Sequence, residues 1–121
     1  MNEYREYRRK LTSANNAVTT IKDNDIIVHS GSVSEPPALL NALADHLRAD
    51  DLKHIKVYTS LPGPHAATSL LSPDLSDCVE SYSWFVTEAD RSLVKVGLSI
   101  YVPNYIHQVP RLIREIGRAH V

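Results

Sequence analysis

The chain has a single cysteine among 121 residues, so no disulfide can form within it. No apolar run near its start resembles a signal peptide or a membrane span. Together these absences make a reducing, cytoplasmic setting the expectation. Excess charge of one sign is also lacking. Thirteen basic residues stand against fourteen acidic ones, for a formal net charge of -1. That balance leaves no electrostatic footprint for nucleic acid or an anionic membrane. The longest basic run, Arg8-Arg9-Lys10, is interleaved with Glu3, Glu6, Tyr4 and Tyr7 and fits a solvated helix face. The six histidines include no pair at a helical i, i+4 spacing, so no metal site is expected. No Gly/Ser-rich linker or charge block divides the chain, and its length and 43% hydrophobic content suit one compact core. Cys78, in Leu75-Ser76-Asp77-Cys78-Val79, fits a small apolar filler.

What is present centres on Asp25 to Leu43, where a buried-type strand, a small-residue turn and a helix start follow one another. Ile26, Ile27 and Val28 form a short β-branched run suited to a strand covered on both faces. Ser30, Gly31, Ser32 and Val33 then form a turn where a ligand can approach bare backbone amides. Ser34 is expected to cap the following helix, with Glu35 in its first turn and Pro36-Pro37 at positions needing no intrahelical bonds. Such a unit is a candidate anion or oxyanion cradle, although a glycine at the first turn of a parallel sheet also serves geometry alone. No Gly-Lys-Ser/Thr follows, and no Gly-x-Gly-x-x-Gly is present, which disfavours ATP-type and dinucleotide readings.

Along the rest of the chain, helices are predicted over Glu3 to Lys10 and from Ser13, where Ala14, Ala17, Val18 and Ile21 share a face. Both are expected to pack on the sheet. Leu39, Leu40, Leu43 and Leu47 supply the apolar stripe of the next helix, which ends near Asp50-Asp51. A second strand is read at His54 to Thr59 and closed by Leu61-Pro62-Gly63-Pro64. A short helix follows at Ala66 to Leu71. Tyr82 to Val86 reads as a third strand, and Thr87 begins a capped helix that Gly97 ends. Leu98 to Val102 is the fourth strand, and a last helix starts near His107 or Pro110. Strands alternating with helices predict an α/β domain with a mostly parallel sheet flanked by helices.

Several of these pieces resemble, in order and spacing, the amino-terminal part of the acetyl-CoA hydrolase/transferase family, which includes 4-hydroxybutyrate CoA-transferases. Tyr7-Arg8-Arg9-Lys10-Leu11, Ser13-Ala14, Ala17-Val18 and Ile21-Lys22 resemble the family's opening. Ser30 to Pro36 with Leu39, Leu40, Ala42 and Leu43 resembles its first glycine loop. Phe85-Val86, Arg91, Gly97, Tyr101, Pro103 and Pro110-Arg111-Leu112 resemble the segment leading to its Pro-Arg-Leu helix. Thr87 and Asn104 to Gln108 depart from the common pattern and leave the acyl substrate open.

The resemblance implies a truncated fold of the NagB/RpiA/CoA-transferase type. It implies an enzyme that moves coenzyme A between short-chain carboxylic acids, or hydrolyses acyl-CoA, through an enzyme glutamyl-CoA thioester. CoA would be substrate, with no permanently bound cofactor, and the intact enzyme a homo-oligomer. The nucleophilic glutamate lies in the family's carboxyl-terminal half, so no catalytic residue is assigned in this chain. Glu35 is the one acid placed for such a role, and helix capping explains it without chemistry. The substrate or oxyanion loop is assigned to Ser30, Gly31, Ser32 and Val33. Tyr101, Asn104 and His107 follow the fourth strand, the side where ligands bind in such sheets, and are weaker candidates for substrate contact.

The final Ile116-Gly117-Arg118-Ala119-His120-Val121 equals one reading frame of a commonly used short-read sequencing adapter. The division expected is therefore a partial domain over 1–114 and a non-native tail over 115–121. One alternative is a stand-alone flavodoxin-like α/β module that holds a phosphate or nucleotide at the Gly31 turn. Another is a purely structural interaction domain.

Overall fold

The structure, a computed structural model, describes residues 2–120. The elements run α1 (Glu3–Lys10), α2 (Ala14–Val18), β1 (Ile26–Val28), α3 (Pro37–Arg48), β2 (Ile55–Ser60), α4 (Pro64–Ala67), β3 (Val79–Phe85), α5 (Glu88–Lys95), β4 (Ser99–Tyr101) and α6 (Val109–Glu115). Short 3-10 turns occupy Ser32–Ser34, Pro73–Leu75 and Ile106–Gln108. The sheet has four strands in the order β1-β2-β3-β4, and every pairing is parallel. This order differs from the flavodoxin arrangement, in which the first strand is flanked on both sides by the second and third.

Alternate residues of the central strands divide the two faces. Ile55 and Val57 of β2 and Val79 of β3 join the main core with Leu40, Leu43 and Leu47 of α3. On the opposite face Tyr58 stacks on Tyr82 with ring centroids 4.7 Å apart, and Trp84 tilts against Tyr58 at 5.3 Å. Cys78 lies half-buried against the main core, as a small apolar filler should.

Three helices differ from expectation, the shortest of them, α4, running over Pro64–Ala67 rather than Ala66 to Leu71 because Pro64 suits a first helical position. α1 has a good cap, with Asn2 Oδ1 accepting from the Arg5 N–H at 3.2 Å, and its Glu6 pairs with Arg9 and Lys10. It buries no residue, so local bonds and charges hold it rather than packing on the sheet. α3 starts at Pro37, later than Ser34 suggested. The physical reason is the pair of prolines. A residue preceding proline is driven out of the helical region. Glu35 is accordingly extended, at φ -57° and ψ 137°. Ser34 instead lies in the 3-10 turn, with its hydroxyl donating to the Gly31 carbonyl at 3.0 Å. Within α3, Leu40, Leu43 and Leu47 are buried as expected, but Leu39 is exposed.

The Thr87 cap is as expected. Its Oγ1 accepts from the Ala89 N–H at 3.2 Å, while Asp90 Oδ1 accepts from the Thr87 N–H at 2.8 Å. Gly97 then takes φ +79°, the left-handed conformation that ends a helix cheaply only with glycine.

After β4 the chain passes through α6 and returns to the free side of β1. There the His120 carbonyl accepts from the Val28 N–H at 2.7 Å, and the His120 N–H donates to the Ile26 carbonyl at 2.8 Å. His120 thus forms an isolated parallel bridge with Ile27, and its ring Nε2 lies 2.8 Å from Asp25 Oδ2. One residue of the 115–121 segment thus pairs with β1, and the last residue of that segment, Val121, lies outside the described residues.

Candidate active site

With all strands parallel, Val28, Ser60, Phe85 and Tyr101 end at one edge of the sheet. From β1 the chain steps outward through β2, β3 and β4, then comes back on the other side. β1 is therefore where the strand order reverses. In open parallel sheets the ligand crevice lies beyond the strand ends at such a point, and here that place is held by Ser30 to Glu35.

The loop's geometry is fixed by close backbone contacts. Gly31 sits at φ -99°, so it is not there to supply a left-handed turn. The reason is space: a β-carbon at Gly31 would stand 2.0 Å from the Ser60 carbonyl oxygen and 2.8 Å from that of Leu61. Ser32 does take a positive φ, +50°, and donates its N–H to the Leu61 carbonyl at 2.8 Å and its hydroxyl to the same oxygen at 3.2 Å. The Ser30 hydroxyl donates to the Ser34 carbonyl at 2.5 Å. The N–H groups of Ser34 and Glu35 close the 3-10 turn onto the carbonyls of Gly31 and Ser32.

The expected cradle is thus narrower than four residues. The Ser32 N–H is already bonded to Leu61, and among the described residues the N–H groups of Gly31 and Val33 have no acceptor. Val33 forms the tip, with a relative exposure of 103%.

Glu35 caps a helix, but a different one from that expected. It is 5% exposed, and its Oε1 accepts from the Gly63 N–H at 2.6 Å while Oε2 accepts from the Ala66 N–H at 3.2 Å. Those donors belong to the first turn of α4, which begins 29 residues further on at Pro64. Local sequence offered no sign of this link, although Pro62-Gly63-Pro64 marked the place where the partner loop turns.

Similar bonds continue along the edge. Leu61, at φ +55°, donates its own N–H to the Phe85 carbonyl at 3.1 Å, and the Thr87 hydroxyl donates to the Pro62 carbonyl at 2.6 Å. Asn104 donates its side-chain amide to the carbonyls of Trp84 at 2.9 Å and Val102 at 2.8 Å. Leu61, Gly63 and Thr87 were missed as site-building residues because their partners are remote in sequence.

Tyr101 ends β4, while the Gly31 loop packs on the end of β2 and Asn104 reaches the Trp84 carbonyl on β3. Tyr101 borders a shallow cavity of about 300 Å³ with Phe85, Val86 and Val94. His107 stacks on Tyr105 with ring centroids 5.9 Å apart. The two sets of sequence candidates share one edge of the sheet, and among the described residues no hydrogen bond joins them. Beside β1 lies a larger apolar groove of about 480 Å³, bordered by Ile27, His29, Leu39, Leu43 and His120. Among the described residues no group of three or more His, Cys, Asp or Glu side chains converges.

A parallel four-stranded sheet flanked by helices places the chain in the α/β class. The match to known proteins is more specific. Residues 1–120 match the family described as the acetyl-CoA hydrolase/transferase N-terminal domain, and the chain belongs to that family. It is 31% identical over 111 residues to a succinyl-CoA:cyclohexane-1-carboxylate CoA transferase of Geobacter metallireducens, covering 92% of this chain and 24% of that protein. It is 31% identical over 106 residues to a butyryl-CoA:acetate CoA-transferase of Anaerostipes caccae, covering 87% and 23%. Among solved structures, RipA from Yersinia pestis superposes with a TM-score of 0.90 at 34% identity, covering 97% of this chain and 29% of that one. The chain spans about a quarter of the length of the curated relatives it matches. No helix among the described residues is long and apolar enough to cross a membrane.

Proposed function

We propose that this chain is the amino-terminal part of an acyl-CoA:carboxylate CoA-transferase, or of a related acetyl-CoA hydrolase, acting on short-chain acids such as 4-hydroxybutyrate. The observation that carries this reading is the Gly31 loop at the strand-order reversal, with the Val33 amide unoccupied at its tip, in a chain of this family.

In the reaction proposed, a glutamate carboxylate from the carboxyl-terminal half attacks the thioester carbonyl of acyl-CoA. An acyl-glutamyl anhydride forms and CoA leaves as thiolate. The thiolate attacks the glutamyl carbonyl, giving a glutamyl-CoA thioester and releasing the first carboxylate. A second carboxylate then takes over the CoA by the same two steps in reverse. In a hydrolase, water resolves the enzyme-bound intermediate. Each tetrahedral intermediate carries an oxyanion, and one preorganised donor at such a point commonly contributes about 3 kcal/mol. In this chain the donors available for that purpose are the Gly31 and Val33 N–H groups. Tyr101 and His107 are proposed as outer contacts to the substrate, and Asn104 as the residue that shapes their loop. CoA is a substrate here, with no resident cofactor. The full-length enzyme is proposed to be a cytoplasmic homo-oligomer, and this piece alone to be inactive.

The test is turnover by the full-length protein of acetyl-CoA with and without acetate, succinate, butyrate or 4-hydroxybutyrate. Turnover that requires an added carboxylate identifies the transferase, and turnover without one the hydrolase. Failure to consume any acyl-CoA overturns the reading.

A further inference from the structure

We infer that Glu35 is a positioning residue for acyl transfer: its buried carboxyl group holds the Gly31 loop against the loop after β2 and so fixes where the Val33 N–H stands. This rests on the function proposed above and assigns a role to a residue which that reaction does not otherwise use.

A carboxyl group that is 5% exposed needs partners, because burial of an unpaired one is costly. The usual partner would be a cation. Among the described residues none pairs with Glu35, and its bonds are to the backbone N–H groups of Gly63 and Ala66. Those two donors require an acceptor at each end of the side chain. A carboxylate supplies both, whereas the isosteric amide of glutamine presents its own N–H₂ to one of them. Charge and shape are therefore both used.

Gly63 completes the arrangement. A β-carbon there would stand 3.2 Å from Glu35 Oε2 and 3.3 Å from the Ser32 Cα, so glycine admits the carboxyl group and lets the two loops touch. Ser32 adds its own bond to Leu61 on the same seam. Among the described residues the N–H groups of Gly31 and Val33 are left without acceptors, and Val33 at the tip is fully exposed. If Glu35 served packing alone, any side chain of its volume would suffice. The bond pattern instead fixes the loop's height relative to α4, the dimension along which an oxyanion donor must be placed.

The experiment compares Glu35→Gln and Gly63→Ala with the parent in the full-length protein. Measured are kcat and KM for acyl-CoA, the thermal midpoint, and amide hydrogen exchange at Ser32 and Gly63, whose N–H groups are bonded across the seam. For Glu35→Gln the expected result is a fall in kcat of about ten- to a hundredfold with KM changed less than about threefold. Exchange at these two amides should quicken while the fold is retained. Gly63→Ala should give the same pattern more weakly, and it decides the matter if Glu35→Gln does not fold. Parental kcat in a folded variant, or a loss of activity that only tracks the unfolded fraction, overturns the inference. Should the parent itself turn over no acyl-CoA, the proposed reaction fails. The exchange measurement then still decides whether Glu35 holds the loop.

Discussion

Gly31 faces the carbonyl of Ser60 so closely that a β-carbon on it would lie 2.0 Å from that oxygen. The obstacle is backbone at the end of a central strand, which cannot swing aside as a side chain can. A larger residue at Gly31 should therefore impair folding as well as catalysis. Gly31→Ala should destabilise the domain by about 3 kcal/mol, the upper end of overpacking costs, because strand and loop must separate. Urea unfolding checks this. A variant within about 0.5 kcal/mol of the parent would contradict the contact.

Ser32 spends its hydroxyl on the Leu61 carbonyl while its backbone sits at φ +50°. Ser32→Ala removes the bond and keeps the unfavourable conformation, for a loss of about 1 kcal/mol. Ser32→Gly loses the same bond but relieves the backbone, so it should be the more stable of the two variants. The opposite ranking in denaturant titrations would show that the positive φ carries no cost.

For Asn104 the two roles make opposite forecasts. Its amide reaches the Trp84 and Val102 carbonyls, so Asn104→Ala should lower stability by roughly 2 kcal/mol through two lost bonds, with KM for acyl-CoA little changed. Undiminished stability with a raised KM would mark it as a substrate contact instead.

Asp74 is held down to about 2 by the Arg48 guanidinium first and the Ser72 hydroxyl second. A carboxyl group whose folded value lies below its unfolded 3.8 stabilises the fold above that value, and the benefit fades as pH falls through about 2. Acid titration of Asp74→Asn against the parent should show the parent more stable at neutral pH. The two curves should converge near the bottom of that window. Parallel curves throughout would exclude any contribution from the pair.

Phe85, Ile100 and Tyr101 are about half exposed around the unpaired edge of β4. An apolar edge strand of this kind invites pairing with another chain. Residues 1–120 expressed alone should bind a hydrophobic dye and associate with concentration, and the full-length protein should do so far less. A monomeric, dye-silent short chain would contradict this.

How much of this was legible beforehand depended on how far each bond reaches along the chain. Helix α1 over Glu3 to Lys10, the Thr87 cap and the Gly97 stop rest on interactions within a few residues, and strand β1 over Ile26 to Val28 was marked by its β-branched run. The alternation of strands with helices marked a parallel sheet, and the order of motifs sufficed for the family. Where α1 packs and where α3 starts were misjudged for opposite reasons. Periodicity says nothing of what a helix will meet, and the effect of Pro36 and Pro37 on the preceding backbone outweighed a good capping serine.

By itself, then, the sequence determined the elements, their parallel alternation and the position of the glycine loop, because each follows from local geometry and side-chain pattern. The tertiary structure alone decided what Gly31 is for, that Glu35 caps α4 rather than α3, and that Asn104 reaches back to the Trp84 carbonyl. Those facts depend on carbonyls and amides brought together from distant parts of the chain, and every residue type carries the same carbonyl and all but proline the same amide. No pattern of side chains records which of them will meet.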